Sequence, residues 1–184
     1  TSSTLDLSSN GVTATIAGGT VWITGLFGSA LSFDGTDDSV NIPALGAANS
    51  LGALTLEAWV KTSIGGNDKT ILGKTDGSAN GFALALNGAG AGTAGAPSFW
   101  SNNTWTHAAF AINDGRWHLI AATNDGVTTK IYIDGSLAKS AAHVPSLINN
   151  TNIQVGARTG GANFQGMIDE VRLFNYAKPS AEIE

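Results

Sequence analysis

Apolar and polar positions in this chain alternate with a period of two. In "LTLEAWVK" (54–61), Leu54, Leu56, Ala58 and Val60 fall on one face and Thr55, Glu57, Trp59 and Lys61 on the other, as in a half-buried β-strand. "TTKIYIDGSLAK" (128–139) reads as two short strands joined at Asp134-Gly135, a dipeptide that accepts the positive backbone angles of a tight hairpin. Comparable patterns predict strands at 12–17, 29–33, 38–42, 69–73, 81–87, 96–101, 105–111, 116–123, 152–156 and 165–175. Between them lie breakers: Asn-Asp-Gly at 113–115 and 124–126, Gly65-Gly66 and Gly160-Gly161. No segment carries an amphipathic helical stripe. Pro179 and Ser180 can start a single helical turn near the end.

Many short strands with Gly-rich turns predict an all-β fold, a two-sheet antiparallel β-sandwich or jelly roll. The run "LNGAGAGTAGAP" (86–97) could separate two domains, but the same alternation continues on both sides of it. It is therefore read as a long hairpin loop, and residues 1–184 as one domain. Hydrophobic residues make up 42% and charged residues 12%, enough apolar material for one sandwich core.

A net charge of −5 with no run of Lys or Arg argues against a nucleic-acid partner. The longest apolar stretches are strand-length, so no membrane span is expected. Without cysteine there is neither a disulfide framework nor a thiolate metal site. The opening "TSSTLDLSSNG" has no basic start and no apolar run, so it is not a signal peptide, and a mature or excised fragment would read the same. The absence of cysteine suits a bacterial secreted protein, and the expectation is a fragment of a larger secreted protein, extracellular or at the cell surface.

Four stretches together, "FGSALSFDGTDDSVNIP" (27–43), "LTLEAWVKT" followed by "ILGK" (54–62, 71–74), "GRWHLIAATNDGVTTKIYIDG" (115–135) and "FQGMIDEVRLFNYAKPSAEI" (164–183), resemble the laminin G-like jelly-roll domains of the concanavalin A-like lectin/glucanase superfamily. The resemblance implies two antiparallel sheets packed face to face, and a function drawn from sugar binding, protein binding or glycan cleavage. Family members commonly begin with an aromatic strand before a turn like "DLSSNG" (6–11). Only five residues precede Asp6 here, so that strand is expected to be short or missing and a sheet edge open.

Hydrolases of this superfamily carry alternating Glu and Asp on one strand, because glycan cleavage needs two facing carboxylates. The four Glu here, Glu57, Glu170, Glu182 and Glu184, form no such pattern. Glu57 is therefore expected to be a hydrogen-bonded structural residue. His107, His118 and His143 lack the pairing of a zinc site. The resemblance also implies a structural Ca²⁺, held by Asp169 in "MIDEVRL" with Asp34 and Asp6 as partners and Asp37 and Asp38 as further candidates, since Ca²⁺ takes carboxylate and carbonyl oxygens. Alternatively, Asp169 and Arg172 only pair or cap loops, and the Asp-rich turn only bonds its own backbone.

Trp22, Trp59 and Trp117 match recurrent family positions and are expected in packing. Trp100 and Trp105 flank "SNNT" (101–104) where the family pattern is loose. "SFWSNNTWTH" brings two indoles, Asn102, Asn103 and His107 within ten residues. A sugar presents apolar C–H faces and fixed hydroxyls, which suit an aromatic platform beside amides or a guanidinium. Trp100, Asn102, Asn103, Trp105, His107 and Arg158 are the candidate ligand residues, with Asn80 and Asn163 at the same end. The alternative is a plain strand pair with an Asn-Asn turn. The expected function is a non-catalytic carbohydrate-binding or adhesion module whose partner is a glycan or polysaccharide. A module that binds an extracellular protein and a divergent hydrolase or lyase are the alternatives.

Overall fold

A computed structural model describes residues 2–5, 12–44, 46–48 and 50–183. In chain order its strands begin with β1 (Ser2–Leu5), β2 (Thr13–Ala17), β3 (Val21–Thr24), β4 (Ser29–Asp34) and β5 (Ser39–Ile42). Next come β6 (Leu54–Lys61), β7 (Lys69–Thr75), β8 (Gly81–Leu86), β9 (Pro97–Ser101) and β10 (Thr104–His107). The last are β11 (Trp117–Asn124), β12 (Thr128–Ile133), β13 (Ser136–Ala142), β14 (Ile153–Val155) and β15 (Gln165–Phe174). One sheet has eight strands in the order β1-β2-β5-β14-β7-β8-β9-β10, and the other seven in the order β13-β12-β11-β6-β15-β4-β3. Each pairing described is antiparallel.

The alternation in β6 decides which side faces in. Leu54, Leu56, Ala58 and Val60 are fully buried and share one core with Ile71, Phe82, Leu84 and Phe99 of the facing sheet. Burying each larger aliphatic side chain contributes about 1.5–3 kcal/mol, so the sequence pattern is also the main energetic term.

The opposite side of β6 is covered as well. After β15 the chain turns back across the seven-stranded sheet. Thr55 donates its hydroxyl to the Tyr176 carbonyl at 2.8 Å and accepts the Lys178 amide at 2.9 Å. The Lys178 ammonium reaches both Glu57 oxygens, at 2.9 and 3.0 Å, and Ile183 packs with Leu119, Ala121, Tyr132 and Trp59. Glu57 is buried under this strap with its counter-charge, the structural role expected of it.

Two expectations shift and a third is met. The strand predicted at 105–111 ends at His107: β10 is the edge of its sheet, and residues 109–111 are exposed beyond it. β3 was not foreseen, because "VWIT" is an edge strand with Val21 55% and Trp22 50% exposed, so it shows no two-sided pattern. The first strand is present but short, β1 pairing with β2 from Ser2 opposite Ile16 to Leu5 opposite Thr13. The helical turn at the end is there as a 3₁₀ turn, Ser180–Glu182, and the 86–97 run joins β8 to β9 within one hairpin.

Candidate functional site

The hairpin β9–β10 sets the geometry of the aromatic group. Asn102 and Asn103 form its two-residue turn with φ of 47° and 56°, left-handed angles that Asn tolerates and that a primed hairpin turn requires. The side-chain amide of Asn102 donates to the Val144 carbonyl at 3.2 Å. This register sets Trp105 opposite Trp100 and His107 opposite Ser98. Because Phe99 between them points into the core, Trp100, Trp105 and His107 share the outer face of the eight-stranded sheet.

The indole centroids of Trp100 and Trp105 lie 6.4 Å apart, and the His107 ring stacks near-parallel to Trp105 at 6.1 Å. The His107 Nδ1 is 2.9 Å from the Ser98 hydroxyl. Burial, then the charge of Lys139, push the His107 imidazole below its ordinary value, so it is neutral at pH 7. The floor of this face is built of small residues: Ala83 stands opposite Trp100, and Gly73 opposite Ala83. Gly88 closes on the Trp105 ring so tightly that a β-carbon there would stand 2.0 Å from it, so no side chain is possible at that point.

Arg158 arrives from another element. It follows β14 and pairs with Gly161 across a tight turn whose Gly160 and Gly161 have φ of 93° and 100°, angles that glycine adopts without strain. Its side chain crosses above Gly73, where a β-carbon would meet Arg158 Cβ at 3.1 Å. The guanidinium then lies 5.9 Å from the Trp105 centroid, within cation–π range, and its Nη2 pairs with the Asp68 carboxylate.

Trp100, Trp105, His107 and Arg158 are thus brought together, with Asn102 and Asn103 exposed at the turn of the same hairpin. Asn80 accepts the Ser146 hydroxyl at 2.6 Å, and Asn163 donates to the Thr36 carbonyl beside the β4–β5 turn. The Asn102 backbone amide on the Ala79 carbonyl sets Asn80 beside the hairpin turn. Asp68 was not anticipated: in "GGNDKT" it looks like any turn carboxylate, and only the fold shows that Arg158 meets it.

The acidic residues expected to share a Ca²⁺ are placed differently. Asp34 pairs with Gln165 in the β4–β15 register, four residues from Asp169, a separation of about 13 Å along a strand. Asp6 lies outside the described residues. Asp169 is buried, and its Oδ2 accepts the amides of Leu26 and Phe27 at 2.9 and 3.0 Å while Oδ1 accepts that of Glu170 at 2.9 Å. Three N–H donors surround this carboxylate with positive dipoles, an environment suited to an anion and not to a cation. Asp169 and Asp34 do not form one ligand set.

Asp34, Asp37 and Asp38 do lie together, with one carboxylate oxygen from each within 4.8 Å of the others. Asp38, the buried member, accepts the amides of Gly19 and Asp34, and Asp34 accepts the Thr36 amide at 2.7 Å. These bonds make the turn itself.

The other histidines are accounted for by packing and charge. His143 is buried, with Nε2 3.0 Å from the Ser101 carbonyl and Nδ1 3.3 Å from Thr106 Oγ1. His118 bridges two carboxylates, Nδ1 to Asp134 at 2.8 Å and Nε2 to Asp114 at 3.1 Å. Burial lowers its pKa, but those hydrogen bonds and charges outweigh burial and the net shift is upward. A separate cavity of about 370 Å³ opens between the sheets at Trp22, Leu31, Val40, Val155 and Ile168; its lining is mainly aliphatic, and Asp169 at its rim is already taken up by amides.

Two antiparallel sheets closed over one core define a jelly-roll type of β-sandwich. The family model described as "Concanavalin A-like lectin/glucanases superfamily", a laminin G type, matches residues 34–184, and the chain belongs to that family. Comparison with curated proteins finds no match. Among solved structures, domain 4 of an extracellular GH43 arabinanase from Geobacillus stearothermophilus, in complex with arabinotriose, is similar over 92% of this chain and 85% of that one. Its TM-score is 0.74 at 22% identity. The binding domain of Paraclostridial Mosquitocidal Protein 1 is similar over 97% of this chain at a TM-score of 0.77 and 16% identity; the chain spans 48% of that domain. A putative carbohydrate binding protein from Bacteroides ovatus is similar over 83% of this chain and 45% of its own, with a TM-score of 0.69 and 19% identity. At these identities the likeness is one of fold.

Proposed function

We propose that this chain is a non-catalytic carbohydrate-binding module whose glycan face is the outer surface of the eight-stranded sheet around Trp100, Trp105, His107 and Arg158. The observation that carries this reading is the tilted indole pair over a floor of Ala83 and Gly73, with a guanidinium beside it. Indoles offer an apolar surface for sugar C–H groups while neighbouring polar groups fix the hydroxyls. The arabinotriose complex of the similar arabinanase domain supports the same ligand class, and the extracellular setting in that name supports an exported protein. No helix among the described residues is long and apolar enough to cross a membrane. The superfamily's hydrolytic chemistry would rest on Glu57, which is salt-bridged to Lys178 under the C-terminal strap, on the other sheet. The reading does not depend on a structural calcium ion.

Glycan arrays and polysaccharide pull-downs test the proposal. The protein should retain at least one glycan, and Trp105→Ala should weaken that binding at least tenfold with the fold intact by circular dichroism. Absence of binding to every glycan would overturn it. A protein-interaction module is the second reading, favoured by the exposed Val21, Trp22, Leu26 and Phe27 along and after the edge strand β3. Capture of a peptide or matrix protein that excess sugar does not displace would support it.

A further inference from the structure

The His107 ring is gripped along one edge and open along the other. Its Nδ1 lies 2.9 Å from the hydroxyl of Ser98, which stands opposite it in the β9–β10 register and is fully buried. The 87–92 segment seals this same edge. A β-carbon on Gly92 would come within 2.8 Å of Nδ1, and the Gly88 amide donates to the Ser98 oxygen at 3.3 Å. Trp105 stacks near-parallel to the ring. The half-buried side chain leaves Nε2 without a hydrogen-bond partner among the described residues, and Nε2 is not enclosed. It is therefore the polar atom of this ring that a ligand can meet.

The Ser98 hydroxyl decides which ring nitrogen carries the proton. It has one proton to donate and two acceptors in reach, His107 Nδ1 at 2.9 Å and the Ala96 carbonyl at 3.4 Å. The shorter bond is the stronger, and the Gly88 N–H already fills one accepting position of the oxygen. A neutral imidazole holds a single proton, and the nitrogen that accepts a hydrogen bond leaves that proton on the other. Resting on the carbohydrate-binding reading above, we infer that Ser98 is a positioning residue that fixes His107 as its Nε2–H tautomer, so that the module meets a glycan with a preset N–H donor beside Trp105. The donor is oriented before the ligand arrives, which spares binding the cost of ordering it. Its complement is an acceptor oxygen on the sugar that lies against the indole. Lys139 of β13 is exposed and acts on the same ring, so that oxygen can belong to a hydroxyl or to a carboxylate.

Two substitutions separate the donor from the ring. His107→Gln keeps an N–H near the position of Nε2 without the imidazole, and His107→Phe keeps an aromatic ring against Trp105 without a donor. Titration calorimetry of the whole chain with arabinan, xylan, galactan, mixed-linkage β-glucan and polygalacturonate finds the polymer that binds and whether it is neutral or anionic. For that polymer His107→Gln should stay within about threefold of wild type, and His107→Phe should weaken binding about tenfold, the loss of one hydrogen bond. In ¹⁵N-labelled protein at pH 7, long-range ¹H–¹⁵N correlation should show the His107 proton on Nε2, the signal being assigned by its loss in His107→Gln. In Ser98→Ala the two tautomers should mix and the affinity should fall, a spectroscopic signature that lost packing alone would not give. A proton on Nδ1 in the wild type would overturn the inference, as would a Ser98→Ala variant that keeps both the Nε2–H tautomer and the affinity. If His107→Phe binds as tightly as wild type, or His107→Gln as weakly as His107→Phe, while Trp105→Ala weakens binding, the inference falls and the carbohydrate-binding reading stands. Absence of binding to all five polymers removes both.

Discussion

Replacing Asp169 by alanine tests what the charged residues in the last strand do. The carboxylate holds three backbone amides: two from the 25–28 turn between β3 and β4, and one within the β15 bulge. A hydrogen bond to a charged acceptor contributes about 1.5–3 kcal/mol when buried. Leu26 and Phe27 are 39% and 57% exposed, so water can replace part of the loss at their amides. A net destabilisation of about 2–4 kcal/mol is expected, and for a domain of this size that lowers the melting temperature by about 5–15 °C. The assay is thermal unfolding followed by circular dichroism, with wild type and Asp169→Ala each measured in chelator and in millimolar Ca²⁺. The variant should melt lower by the same interval in both buffers. If chelation lowers the wild type and Asp169→Ala abolishes that response, the carboxylate is a calcium ligand and the amide-clamp argument is wrong, because an ion bound to the folded state stabilises it by mass action.

Two further expectations concern charge. The His118 pKa is raised in the fold above its ordinary 6.5, so its contribution is fully present below that value and is lost as pH rises through the folded-state value. Melting temperature should therefore fall from mildly acidic to alkaline pH, and His118→Gln should flatten that slope; an unchanged slope in the variant would refute the assignment. Lys178→Met leaves the Glu57 carboxylate buried without its ammonium, which should cost about 3–5 kcal/mol by urea unfolding; a change below 1 kcal/mol would mean the strap contributes little there.

Much of the fold was legible because a sandwich strand that buries one face writes that fact every second residue. β6 is the clear instance: Leu54, Leu56, Ala58 and Val60 are the core positions their spacing implied. β3 left no such record, since an edge strand with exposed Val21 and Trp22 has no strict inside and outside. For the same reason Trp22, expected in packing, is half exposed. The Trp100–Trp105 pair could be inferred from one ten-residue stretch because a two-residue hairpin turn fixes its own register. The Arg158–Asp68 pair could not: its members are separated by 90 residues, and the strand order that joins them depends on β14 lying beside β7. Asp169 ties the last strand to an early segment, as its place among the sparse charges implied. Its partners are amides of the 25–28 turn, and backbone donors leave no mark in a sequence.

The two outer faces of the sandwich differ in a way that bears on function. On the seven-stranded sheet the strap from Tyr176 to Ile183 already supplies what a ligand would: a counter-charge for Glu57, a carbonyl for Thr55 and an apolar cover for Leu119 and Tyr132. A glycan binding there would first have to displace a salt bridge and an aliphatic contact. On the eight-stranded sheet the 87–92 segment touches Trp105 and His107 at Gly88 and Gly92, glycines without side chains to cover them, and Arg158 makes only a cation–π approach. A ligand gains most where the surface that meets it is held in place before it arrives. The fixed register of β9 and β10 meets that condition. A glycan is therefore expected on the Trp105 face and not on the strapped one.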